Sequence, residues 1–334
     1  MGTLRQDPTT EGWVILAPER SGRPAGMRRH QRPDLPFFEP TCPFCPGNEH
    51  MTPPEIARVP NEKQWRHRVV PNRFPALSAE SNGAVNGDGH VREMGGLGAH
   101  EVVVESPVHD ERLDEMDVDR IGSLLQLWRE RTRALRAEPW VRAVVIFKNF
   151  GDRAGTTLDH PHSQIMATAV CPPELRHRSD VAAAYLEANG RSVYADVLND
   201  ELRTGERLVA VRDSFAAIAP FASRAPFETW ILPREQQASF GDLRDDQVPE
   251  LAALLRSVLS GLRRGAKDPD YNLLVQSAPV GDESSQSYVW HLVIVPRIAT
   301  AAGFELGSGM SINCVAPEEA AKALRDALTR VTAR

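Results

Sequence analysis

No stretch of this sequence approaches the ~18 consecutive apolar residues that a membrane-spanning helix needs, so a bilayer-embedded chain is not expected. Cysteine is scarce. Four in 334 residues do not make a disulfide scaffold. Positive charge is not in excess either: 39 Lys and Arg stand against 45 Asp and Glu, for a formal net charge of −6. That balance speaks against a general nucleic-acid binder, although local basic clusters can still hold phosphates. The opening residues MGTLRQDPTTEGW contain no apolar core, so no secretory signal is expected. What is present is an ordinary globular composition, 41% hydrophobic and 25% charged. The length suits two units of about 150 residues or one duplicated fold. The expectation is a cytoplasmic enzyme with neither membrane nor nucleic acid among its partners.

Along the chain, Trp13-Val14-Ile15-Leu16 reads as a strand. Residues 78–99 are polar and Gly-rich, which predicts a mobile loop. Segments 101–106 (EVVVES), 143–150 (AVVIFKNF) and 162–170 read as strands, the first two as buried β-branched runs. Ile121, Leu124, Leu125 and Trp128 follow the spacing of one helical face. The second half repeats this order. Segments 207–221 and 227–233 read as strands. A helix follows with Val248, Leu251, Leu255, Val258, Leu259 and Leu262 on one face, then strands at 272–279 and 288–297. Pro107 matches Pro233, Trp128 lies near the counterpart of Leu254, and His162 matches His291. An ordered set at a near-constant offset predicts one α+β unit duplicated, with units at 1–170 and 171–334. Pro317 is placed to start a final helix.

The densest chemical signal is Asp159-His160-Pro161-His162-Ser163-Gln164. In an extended chain, side chains alternate, so His160, His162 and Gln164 share one side. Upstream, residues 149–157 (NFGDRAGTT) form a polar, Gly-bearing loop whose N–H groups suit an anion. Cys42-Pro43-Phe44-Cys45-Pro46-Gly47 is half of a tetrahedral metal site. A redox dithiol would need a helix after it, and Pro46-Gly47 prevents one. Cys171 and Cys314 are isolated, so the other ligands are to be sought among His, Asp and Glu; composition does not choose among them.

These residues sit in a longer series: WVILAPERSGRP (13–24), CPFCPGNE (42–49), VVPNRFPAL (69–77), ESPVHDERLDEM (105–116), FKNFGDRAGTTLDHPHSQIMA (147–167), PFETWILP (226–233), WHLVIVPR (290–297) and GFELGSGMSIN (303–313). The series resembles the galactose-1-phosphate uridylyltransferases, the transferase branch of the histidine-triad superfamily, over nearly the whole chain. The resemblance implies an α+β fold of duplicated histidine-triad-like units, with antiparallel sheets and packed helices. It puts His162 in the place of the nucleophile that becomes a nucleotidyl-histidine, and Gln164 in the place of the amide that donates to the transferred phosphoryl group. It implies substrate contacts at Arg20, Arg23, Asn72, Phe147, Asn149 and Thr157, and at Phe304 and Glu305 near the sugar. Cys42, Cys45, His109 and His160 match its structural zinc ligands; His100, the rival to His109, lacks the S-P-x-H context. A second metal is not expected, because Gln276, Val293 and Arg178 stand where ligands would be and only His291 is kept. The resemblance also suggests a homodimer.

One departure bears on substrate. The uridylyltransferase signature has Gly after the nucleophile, and this chain has Ser163. Serine there is reminiscent of the ADP-glucose phosphorylases, which pass an adenylyl group to inorganic phosphate. The leading expectation is transfer of UMP from UDP-glucose to a hexose 1-phosphate such as galactose 1-phosphate. The alternatives are an ADP-sugar phosphorylase or adenylyltransferase using the same histidine, and a non-catalytic nucleotide-binding protein.

Overall fold

The computed structural model describes residues 2–22, 34–60 and 64–332. Its strands are β1 (Thr3–Gln6), β2 (Trp13–Leu16), β3 (Ala57–Val59), β4 (His67–Pro71), β5 (Val85–Asn86), β6 (Glu93–Met94), β7 (Gly98–Val104), β8 (Ala143–Phe150), β9 (His162–Thr168), β10 (Leu208–Val211), β11 (Phe215–Ile218), β12 (Thr229–Pro233), β13 (Tyr271–Gln276), β14 (His291–Pro296) and β15 (Ile312–Asn313). Its helices are α1 (Val118–Arg136), α2 (Pro173–Asn189), α3 (Val193–Thr204), α4 (Val248–Gly265), α5 (Gly303–Ser308) and α6 (Pro317–Thr332).

Ten strands form one antiparallel sheet in the order β10-β11-β12-β14-β13-β8-β9-β7-β4-β3. Counted inward from either edge, both halves run first, second, third, fifth, fourth. The duplication in the sequence is therefore a duplication of topology. The halves meet where β13 pairs with β8, with Leu274 opposite Phe147. One face of the sheet is covered by α1 and α4. Their apolar stripes, including Leu124, Leu125, Trp128, Leu251 and Leu255, join Val103, Ile165, Ile231 and Leu273 in one core.

The other face is closed differently in each half. Over the second half, α2 and α3 pack Leu175, Ala182, Tyr194 and Leu198 against Ala216, Ile218, Trp230 and Val293. Over the first half, among the described residues, the Cys42–Cys45 turn and Trp65 cover Val70, Val102 and Val104. This difference leaves β8 and β9 accessible on that face.

Three sequence expectations change here. Segment 207–221 is a hairpin, β10 and β11, because Glu250 at the start of α4 accepts the N–H groups of Ser214 and Phe215 (2.7 and 3.1 Å) and holds a turn there. Within 78–99, β5 and β6 make a small hairpin and residues 98–99 already belong to β7. Gly87 permits that turn: its φ is +98°, and a Cβ would lie 2.2 Å from the Val91 carbonyl oxygen. Helices α2 and α3 were not expected. Their punctuation was nevertheless in the sequence, with left-handed Gly190 ending α2 and Ser192 capping α3 by accepting from the Tyr194 N–H.

Two fully buried histidines give the fold a pH dependence. His67 bonds the Glu105 carbonyl (2.9 Å) and Ser123 Oγ (2.6 Å), and burial pushes its pKa down to about 4. Burial pushes His291 down to about 3. Each binds a proton more weakly folded than unfolded. The stability they lend is complete above the ordinary value of 6.5 and is lost as pH falls toward 4. Each contributes about 1.4 kcal/mol per pH unit inside that window. Urea unfolding at pH 7 and pH 5 should differ by roughly 4 kcal/mol from these two groups. Equal stabilities at the two pH values would mean that both rings are protonated in the folded chain.

Candidate active site and metal centre

Strand β9 carries the site because its period-two alternation sends His162 and Gln164 to the open face. Val104 lies opposite His162, while Val102 and Phe147 lie opposite Gln164 on either side. His162 is buried, and its ring stands 5.6 Å from the Phe44 ring, tilted. Its Nδ1 is 2.9 Å from the His160 carbonyl oxygen. A carbonyl only accepts, so Nδ1 carries the proton and the Nε2 lone pair is free. Burial, partly offset by that carbonyl, lowers the His162 pKa and keeps the ring neutral and nucleophilic near pH 7. A cleft of about 540 Å³ opens beside it, lined in part by Lys148, Asn149, Gly151, Asp152, Thr156 and His162.

On the same side, Cys42, Cys45, His109 and His160 are all buried, with their ligand atoms within 4.8 Å of one another. Cys45 Sγ lies 3.5 Å from His109 Nδ1 and 3.6 Å from His160 Nδ1, and the two Nδ1 atoms are 3.3 Å apart. His160 Nε2–H donates to the Ser106 carbonyl at 2.7 Å, which turns its Nδ1 lone pair toward the cluster. Burial raises the Cys42 thiol to about 11 and lowers His160 to about 4. A thiol that resists ionising takes its ligand form when a cation receives the electron pair. The four side chains can hold one metal ion.

Sequence reasoning missed an ion pair under His162. Lys148 in β8 and Glu105 just past the end of β7 meet at 2.6 Å, both buried. Lys148 also donates to the His162 carbonyl at 3.2 Å. The available signal was Lys148, the single charge in the apolar run 143–150.

The other expected substrate residues are dispersed. Asn149 lines the cleft, and its Oδ1 accepts from Asn272 at 2.8 Å. Asn72 approaches Gln164 through His100, with Asn72 Nδ2 3.1 Å from His100 Nε2. Thr157 is exposed on the loop before β9. Arg20 lies on a short 3-10 turn, Pro18–Gly22, and is half-buried. Phe304 and Glu305 lie on α5 and are not among the cleft-lining residues; the Glu305 carboxylate accepts from the Ala302 N–H at 2.8 Å at its own helix start. Arg23 lies outside the described residues.

Family models match both halves of the chain: the N-terminal domain of galactose-1-phosphate uridyl transferase over residues 2–172 and its C-terminal domain over residues 178–332. The chain belongs to the galactose-1-phosphate uridylyltransferase family. It is 36% identical over 329 residues to ADP-glucose phosphorylase from Arabidopsis thaliana, covering 97% of this chain and 92% of that one. It is 28% identical over 332 residues to galactose-1-phosphate uridylyltransferase from Haemophilus influenzae, covering 96% and 93%. Among solved structures, the Arabidopsis ADP-glucose phosphorylase with bound ADP-glucose superposes with a TM-score of 0.85 at 34% identity, covering 98% of this chain and 99% of that one.

Two features of this member of the uridylyltransferase family follow from its geometry. Ser163, which replaces the glycine of the family signature, does not face the cleft. It is fully buried on the opposite side of β9, where its Oγ accepts from the Trp128 indole N–H at 2.9 Å. Ser163→Gly should leave that indole N–H unpaired in the core and cost about 1–3 kcal/mol, read by chemical denaturation, with nucleotide preference unchanged. A switch of nucleotide preference in that variant would give Ser163 a substrate role instead.

The second unit keeps His162's local geometry and loses its access. His291 Nδ1 lies 2.9 Å from the Val289 carbonyl, repeating the 2.9 Å contact of His162. Its ring is sealed among Tyr194, Trp230 and Tyr288 (centroids 5.4, 4.8 and 6.5 Å) under α2 and α3. Arg178, buried beside them, donates to Thr9 Oγ1 at 3.1 Å and to Glu174 at 3.3 Å. One convergent Cys/His/Asp/Glu group is found among the described residues, and it is the one beside His162.

Proposed function

We propose that this chain is a nucleotidyltransferase that works by double displacement through a nucleotidyl-His162, and that ADP-glucose and inorganic phosphate are its donor and acceptor. The observation that carries the chemistry is the free Nε2 of a buried, neutral His162 whose Nδ1–H is tied to a backbone carbonyl. In the first half-reaction, Nε2 forms a bond to the α-phosphorus, the bond from that phosphorus to the bridging oxygen breaks, and glucose 1-phosphate leaves. The substituted ring is cationic, and the His160 carbonyl stabilises it through Nδ1–H. The Gln164 amide donates to the non-bridging oxygens where charge develops. In the second, a phosphate oxygen attacks the same phosphorus, the P–N bond breaks, and ADP leaves with neutral His162 restored.

Adenine and phosphate are favoured by greater likeness to the Arabidopsis phosphorylase than to the Haemophilus uridylyltransferase. The second reading, UMP transfer to a hexose 1-phosphate, is supported by the family models along both halves. Both use His162 identically. The metal we propose is zinc, in a positioning role. With bonds of about 2.0–2.1 Å to nitrogen and about 2.3 Å to sulfur, tetrahedral zinc separates two nitrogen ligands by about 3.4 Å and a sulfur–nitrogen pair by about 3.6 Å. The cluster's own separations are 3.3, 3.5 and 3.6 Å. Four protein ligands leave no open position, so zinc would fix His160, and with it the carbonyl that orients His162.

The deciding experiment is incubation with ADP-glucose and with UDP-glucose separately, followed by intact-mass measurement and then discharge to phosphate or to galactose 1-phosphate. An AMP-sized adduct released faster by phosphate is expected. A UMP-sized adduct released faster by galactose 1-phosphate moves the assignment to the uridylyltransferase, and no adduct with either removes both.

A further inference from the structure

We propose that His100 is a positioning residue that decides which end of the Gln164 amide faces the reacting phosphoryl group. The inference rests on the transfer chemistry proposed above. An amide is a donor at one end and an acceptor at the other, with nearly the same shape either way. Only the NH₂ end can stabilise phosphoryl oxygens. The oxygen end must therefore be held back, and the flanking Val102 and Phe147 offer it no side-chain donor.

His100 supplies one. It lies on β7 opposite Met166, two residues along β9 from Gln164 and on the same face. Its Nε2 is 2.7 Å from Gln164 Oε1. The direction of that bond depends on the ring tautomer. The Ala76 N–H points at Nδ1 from 3.4 Å, which requires Nδ1 to accept and puts the single proton of the neutral ring on Nε2. Nε2–H then donates to Gln164 Oε1, and the Gln164 NH₂, which has no protein partner among the described residues, is left for the substrate.

The opposite tautomer would reverse the outcome. With the proton on Nδ1, Nε2 would accept from the Asn72 amide 3.1 Å away and from a turned Gln164, and Gln164 would show its oxygen to the phosphate. The Phe74 N–H, donating to Asn72 Oδ1 at 2.9 Å, turns Asn72 Nδ2 toward Nε2 and so favours that state; against it stand the shorter contact of Nε2 with Gln164 Oε1, 2.7 Å, and the Ala76 N–H aimed at Nδ1. The Ala76 N–H is thus the element that selects the productive tautomer, and His100 relays the choice across β7 to β9.

The test is a double-mutant cycle on the rate of adduct formation, followed by quenched intact-mass measurement with ADP-glucose and with UDP-glucose. His100→Leu should slow adduct formation about tenfold to a hundredfold, as loss of an orienting partner does, with half-saturating sugar nucleotide little changed. Gln164→Ala should slow it by roughly two to three orders of magnitude. The double variant should be no slower than Gln164→Ala alone, and His100→Gln, whose amide can still donate to Oε1, should recover part of the rate. Multiplying effects, or a wild-type rate in His100→Leu, would overturn the inference while leaving the transfer chemistry intact. Absence of any adduct in the wild-type chain would overturn the transfer chemistry, and the inference with it.

Discussion

His162→Asn should fold, bind sugar nucleotide and lose transfer by roughly four or more orders of magnitude, the scale seen when a covalent nucleophile is removed. Asparagine can still donate to the His160 carbonyl, so the strand and the metal cluster keep their local order. What it lacks is the free lone pair of His162 Nε2, without which no P–N bond forms. Labelled sugar nucleotide in single turnover reads both parts: retained binding by equilibrium dialysis and no mass adduct. Turnover within tenfold of wild type would show that the acceptor attacks the substrate directly and that His162 is not the nucleophile. The sealed His291 offers no substitute, since it is fully buried beneath α2 and α3.

The second large effect is expected from the metal. Elemental analysis should find close to one zinc per chain. Stripping it, or replacing Cys45 by Ser, should lower the unfolding free energy by roughly 5 kcal/mol or more, a sizeable part of the binding free energy of a structural zinc and comparable to the whole stability of many domains. The Cys42–Cys45 turn is one of the few elements covering β4 and β7 on the open face, so losing its anchor exposes Val70, Val102 and Val104 as well. Adduct formation should fail in step, because the His160 carbonyl that fixes the His162 tautomer would no longer be held by a ligated ring. Stripped protein with unchanged melting temperature and full adduct yield would reduce the cluster to ordinary buried thiols and imidazoles.

Several parts of the site are legible in the order of residues alone. The alternation across 160–164 puts His162 and Gln164 on one face because successive side chains of an extended chain point oppositely whatever the strand pairs with. The apolar stripes of α1 and α4 follow from the helical period, and Pro317 does open α6. Other parts are not legible there. Segment 207–221 has the residues of one long strand, and the turn that breaks it is held by side chains distant in sequence, the Glu250 carboxylate on its N–H groups and Arg234 on its carbonyls. The choice between His100 and His109 is open on residue type alone, and the resemblance favours His109. In the fold, His109 reaches Cys45, while His100, at the far end of β7, reaches Gln164.

The sequence by itself determined the duplicated α+β architecture, the shared face of His162 and Gln164, and the thiol half of the metal cluster. All three are set by local periodicity and short-range backbone sterics, which neighbours in the chain dictate. Tertiary structure alone decided that Ser163 meets the Trp128 indole, that Lys148 meets Glu105 beneath His162, and that His291 is sealed while His162 lines a cleft. Each of these depends on which distant strand pairs in which register and on what covers each face of the sheet. The two repeats show the limit most plainly: both hold a histidine by its Nδ1 to a carbonyl two residues back at 2.9 Å, and only the packing of α2 and α3 over one of them separates a buried ring from a candidate nucleophile.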